Sequence, residues 1–121
     1  MNNLTQNFFE KMIELLPTTR QKYDESIRLN GEMMETVIIE EVFMPEIFKL
    51  LSEDKETEKL QNIFDYVEKV VNEDIHLRDI LSITMIEILG NDKKILGVAR
   101  KYLGGTSLKL QIEADKELGR T

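Results

Sequence analysis

The chain has 121 residues, 41% of them hydrophobic and 32% charged, with no cysteine and a formal net charge of −7. That size and balance predict one globular domain with a single core, and the missing cysteines exclude disulfides, thiolate catalysis and cysteine-ligated metals. The acidity disfavours phosphate backbones and anionic membranes and favours basic partners.

The first residues, Met1 to Asn7, have no basic segment followed by an apolar run, so no secretory signal is expected. No stretch approaches the ~20 apolar residues that span a bilayer. A cytoplasmic protein is the expectation.

Helix periodicity dominates from there. Phe8, Phe9, Met12, Ile13, Leu15 and Leu16 predict a first helix from about Thr5 to Leu16, stopped by Pro17. A second begins near Thr19, carries Tyr23 and Ile27, and ends at Asn30-Gly31. A third opens near Glu32 with the stripe Met33, Met34, Val37, Ile38 and Val42; Pro45 either kinks it or opens a new turn bearing Ile47, Phe48, Leu50 and Leu51. After a polar connector from Ser52 to Glu56, the fourth runs from Thr57 to Val71, with Leu60, Ile63, Phe64, Val67, Val70 and Val71 inward.

Asn72-Glu73-Asp74 reads as a turn, and residues 75–89 are the most apolar segment. With Leu77, Ile80, Leu81, Ile83, Met85, Ile86, Ile88 and Leu89 on almost every side, the segment reads as a central buried helix. Its β-branched residues also suit a strand, but the run is long for one and Gly90-Asn91 supplies a C-cap. Asn91 or Asp92 caps the next helix, with Ile95, Leu96, Val98, Ala99, Tyr102 and Leu103. Gly104-Gly105 ends it, and Thr106 or Ser107 caps a last helix through Leu118. The fold class is all-α, an irregular bundle of six or seven short helices around a central apolar helix at about 75–89.

Catalytic constellations are thin. Ser26, Ser52, Ser82 and Ser107 sit in no Gly-x-Ser-x-Gly elbow, and His76 is the single histidine. Glu73-x-x-His76 is half of the paired motif that helical di-iron proteins need. Gly104-Gly105-Thr106-Ser107 resembles a phosphate cradle, but no lysine follows at P-loop spacing. Lys93, Lys94, Arg100 and Lys101 cluster modestly, against an overall charge that opposes DNA binding. The expectation is a non-enzyme with no cofactor, no metal and no catalytic residue.

The charge distribution is more informative. Residues 32–74 carry thirteen acids and four bases, whereas the segment before is neutral and the segment after is net +2. Glu58, Asp65 and Glu68 lie opposite the apolar stripe of the fourth helix, with Glu53, Asp54, Glu73 and Asp74 at its ends and Glu40 and Glu41 upstream. Such a concentration of one sign costs self-repulsion that a basic partner would relieve. On a helical wheel Glu41 falls within the apolar arc, and Glu87 lies between Ile80 and Ile83. Glu87 is expected to pair with Arg78, Arg100 or Lys101. Ile39 and Phe43 are either core on the helix's second side or an apolar anchor within an acidic patch.

The stretches Phe64-Asp65-Tyr66-Val67-Glu68, Asn72-Glu73-Asp74, Ser82 to Leu89 and Ala99 to Gly104 resemble small helical bacterial immunity proteins of polymorphic toxin and contact-dependent growth inhibition systems. The resemblance covers roughly residues 60–115. It implies a binder of a cognate toxin domain, often a nuclease, that blocks the toxin's active site or substrate surface; the residues separately suggest that an acidic helical face would suit a basic nuclease. Glu53, Asp54, Glu58, Asp65, Glu68, Glu73, Asp74, Glu40 and Glu41 are the candidate partner-binding residues. A small adaptor or regulator is the alternative, followed by a metal-binding helical protein. The six methionines and the apolar middle helices leave room for a homodimer.

Overall fold

A computed structural model describes residues 3–30 and 34–120. Gly31, Glu32 and Met33, expected to end the second helix and open the third, lie outside them. The described residues form seven continuous helical stretches and no strand. None of these helices is long and apolar enough to cross a membrane.

Helix α1 (Asn3–Leu15) buries Phe8, Phe9, Met12 and Ile13. Pro17 begins a single 3-10 turn, Pro17–Thr19, whose Thr19 hydroxyl donates to the Leu16 carbonyl at 2.6 Å. That turn redirects the chain into α2 (Arg20–Asn30). Tyr23 of α2 meets the Phe9 ring edge-on, and Phe43 touches both rings. Tyr66 stacks on Phe8 from the other side. This aromatic cluster ties the N-terminal helices to the rest.

Helix α3 (Glu35–Ile38) passes without a break through a π-turn, Ile39–Phe43, into α4 (Met44–Glu53). The Met44 N–H reaches the Ile39 carbonyl, five residues back. Pro45 follows in the first turn of α4. The wider turn lets the helix continue although proline lacks an N–H and crowds the preceding turn. The inserted residue also changes which side chains face inward. Ile39 and Phe43 are fully buried core, whereas Glu40 and Glu41 are exposed. The apolar-arc placement of Glu41 is thereby corrected, because the wheel assumed an unbroken 3.6-residue period.

Asp54 ends α4 in left-handed geometry, with φ of 46°. Helix α5 (Thr57–Glu73) buries the six apolar residues its stripe predicts and packs against α1, α6 and α9. Asp74 then caps α6 (Ile75–Leu81), its carboxylate accepting the Leu77 N–H at 2.8 Å. A second π-turn, Ser82–Ile86, leads into α7 (Glu87–Leu89). The helix reading of residues 75–89 holds, and Leu81, Met85, Ile86 and Leu89 are fully buried. Burial all round does not hold, because Ile75 and Ile83 face solvent. Asp92 caps α8 (Lys93–Ala99) through the N–H groups of Lys94 and Ile95. Helix α8 lies on α4, and α9 (Gly105–Glu117) lies against α5 and the second π-turn.

Glu87 is half-buried but makes none of the expected ion pairs among the described residues. Its backbone carbonyl instead accepts from Arg120, which also holds Asp115 and Asn91. Asp115 is buried between Arg100 and Arg120, a clamp that fastens the end of α9 to the α7–α8 turn.

Candidate interaction surface

The nine candidate acids separate into two groups by what their carboxylates already touch. Glu68, Asp54 and Asp74 are used inside the fold. Glu68 projects from α5 at the start of α9, where the first N–H groups of a helix have no internal partner. It accepts from the N–H groups of Thr106 (3.0 Å) and Ser107 (2.9 Å), from the Ser107 hydroxyl (2.9 Å) and from the Asn72 amide (3.0 Å). Asn72 in turn accepts from the Thr106 hydroxyl. Burial pushes the Glu68 carboxyl up, but these hydrogen bonds prevail and hold it at about 2. The cap of α9 is therefore a carboxylate from another helix. Neither Thr106 nor Ser107 is the N-cap residue; Gly104 occupies that position with no side chain of its own. A Cβ on Gly104 would lie 2.5 Å from the Glu68 carboxyl carbon, so glycine is what admits the carboxylate.

Asp54 joins the α4–α5 connector to the end of α8. It accepts from Lys101 and, at 2.7 Å, from the Tyr102 hydroxyl. The Lys101 hydrogen bond and then that of Tyr102 lower its pKa. Asp74 is the N-cap of α6. These three residues hold helices together and are withdrawn as free partner-binding groups.

Glu40, Glu41, Glu53, Glu58, Asp65 and Glu73 remain exposed, and none makes an ion pair among the described residues. They do not form one patch. Glu58 and Asp65, seven residues and about two turns apart, lie in line on the outer side of α5, and Glu73 is exposed at its last residue. Asp65 is steadied by the Gln61 amide at 2.7 Å. Lys69 is the exposed cation within this ridge. At one end, Glu58 borders a hollow with Glu14, Glu56, Lys55 and Lys59. At the other, Glu73 borders one with Leu4, Tyr66 and Leu77. Burial, then the Glu73 charge, raises the Tyr66 phenol. Glu53 ends α4, and Glu41 lies apart, beside Lys22, Glu25 and Leu29 of α2.

His76 does not join Glu73 in a ligand set. Its Nε2 lies 2.9 Å from Glu35 Oε2, and among the described residues no three His, Asp or Glu side chains are gathered as a metal would need. The sequence reading missed this Glu35–His76 contact and the exposure of Ile75 and Ile83. The second had a signal in the spacing, since Ile75, Asp79 and Ile83 recur every four residues.

A family described as a domain of unknown function, DUF7674, matches residues 9–118. The chain belongs to this family. The DUF7674 span takes in all nine candidate acids, the Glu68 cap and the two π-turns. No curated protein and no solved structure matches the chain.

Proposed function

We propose that this chain is an immunity-type protein that binds and neutralises a basic toxin domain, in the first instance a nuclease, through the acidic ridge of α5. The observation that carries the reading is that Glu58, Asp65 and Glu73 are exposed and make no ion pair among the described residues, on a helix whose inner face is committed to the core. Charges held on a rigid helix steer a partner of opposite sign and fix its orientation. A nuclease must carry a basic surface for its substrate, so an acidic helix of this kind would compete for that same surface. A cytoplasmic site of action follows from the reading.

The test is association kinetics with a candidate toxin domain taken from a neighbouring reading frame. In the double variant Glu58→Lys/Asp65→Lys, the association rate falls by about tenfold or more at low salt, with an unchanged melting temperature. The deficit shrinks as salt rises. Equal rates for wild type and variant at low salt would remove the α5 ridge from the interface.

A further inference from the structure

We propose that the outer face of α6 and the π-turn that continues it is the apolar centre of the docking surface, and that it takes an amphipathic segment of a protein partner whose apolar residues are flanked by lysine or arginine. This deepens the reading above and rests on it for the partner's charge.

Ile75 is 74% exposed and Ile83 is 56% exposed, on the same helical stretch. Ile75, His76, Asp79 and Ile83 are the exposed residues between positions 75 and 83, so the two isoleucines share the outer side of that stretch. Asp79, also exposed, lies between them. Leu4 is 54% exposed and lines a hollow of about 380 Å³ with Asp74 and Leu77 at the start of α6. Met34 is 57% exposed and adjoins Glu35, whose carboxylate meets His76. Two of the seven large apolar residues exposed among the described residues thus stand on this one helical stretch, with Leu4 and Met34 bordering its first turn. Scattered apolar residues on a surface need no explanation, but a gathering does.

The rim gives the partner its chemistry. Glu73 and Asp79 are exposed there, Lys69 borders the same hollow as Glu73, and Glu35 is paired with His76, while Asp74 is already committed to capping α6. Arg78 is turned inward, its Nε donating to the Val71 carbonyl at 2.7 Å. The rim is therefore net anionic around an apolar centre, the usual anatomy of a protein interface. A second copy of this chain fits poorly, because a two-fold pairing would set these carboxylates against their own copies. Glu73 belongs to both this rim and the α5 ridge, so the two surfaces are continuous.

The test uses the full chain and two synthetic amphipathic helical peptides. Both carry leucines on one face; the remainder is lysine in one and glutamate in the other. Binding is read by fluorescence anisotropy and by methyl NMR of the protein. The lysine peptide is expected to bind and to shift the methyl signals of Ile75, Ile83, Leu4 and Met34, while the glutamate peptide does not bind. Ile75→Gln/Ile83→Gln is expected to weaken binding by tenfold to about a hundredfold with unchanged circular dichroism. The single variant Ile83→Gln is expected to fall between. Lysine-peptide binding that moves signals around Asn62 and Asp65 only, and is as tight in the double variant, overturns this proposal and leaves the α5 ridge standing. Binding of neither peptide overturns both. Equal binding of the two peptides, or self-association in the ultracentrifuge that the double variant abolishes, overturns the basic occupant.

Discussion

Replacing Glu68 with alanine should destabilise the fold without touching the proposed interface. The substitution removes four hydrogen bonds, three at the start of α9 (two backbone N–H groups and the Ser107 hydroxyl) and one from Asn72 of α5. An N-cap contributes about 0.5–2 kcal/mol and a hydrogen bond to a charged group about 1.5–3 kcal/mol. The half-buried, partly solvated carboxylate argues for the lower part of their combined range, about 2 kcal/mol. In a domain of this size that lowers Tm by roughly 8 °C. Asp65→Ala, on the same helix but facing solvent, should cost no more than about 0.5 kcal/mol. The effect must also depend on pH. Glu68 titrates at about 2 when folded against 4.5 as its ordinary value. Its ionised form therefore contributes stability that is complete above 4.5 and is lost as pH falls towards 2. Urea unfolding of wild type and Glu68→Gln at pH 7 and pH 3 measures this directly. The stability gap between them should narrow at the lower pH. A gap that is the same at both, or a Glu68→Ala variant as stable as Asp65→Ala, would refute the assignment of Glu68 as the cap of α9.

Gly104→Ala should cost about 1–2 kcal/mol, because its methyl group displaces the Glu68 carboxylate. Combined with Glu68→Ala it should add almost nothing, and full additivity in a double-mutant cycle would show the two losses to be independent. Arg120→Ala should cost about 2 kcal/mol by leaving the buried Asp115 with Arg100 alone. Chemical denaturation reads that value, and a change under 0.5 kcal/mol would mean that the C-terminal clamp contributes little.

The helices were legible because their stripes are strong. Leu60, Ile63, Phe64, Val67, Val70 and Val71 are the buried face of α5, and Asp92 caps α8 as its position before Lys93 implies. The two π-turns were not, since a search for a 3.6-residue period cannot register an inserted residue. Glu41 was placed inward for that reason. The acidic candidates were legible as a group but not individually. Whether a carboxylate is free depends on which helix end lies opposite it. Nothing local to Glu68 reveals that α9 begins there, and nothing local to Asp54 reveals Lys101 and Tyr102. Composition located the charge, and the packing of α5 against α9 and of α4 against α8 decided which part of it remains available.

Survival of toxin-expressing cells tests the toxin-neutralising role itself. The C-terminal domain of the reading frame encoded immediately upstream is expressed in a laboratory bacterium, and viable cells are counted with and without this chain. Wild-type protein is expected to relieve the killing, Glu58→Lys/Asp65→Lys to relieve it poorly, and Glu41→Ala, away from the α5 ridge, to relieve it as wild type does. Killing that this chain does not relieve, or that the charge-reversed variant relieves as well as wild type, would contradict the proposed role.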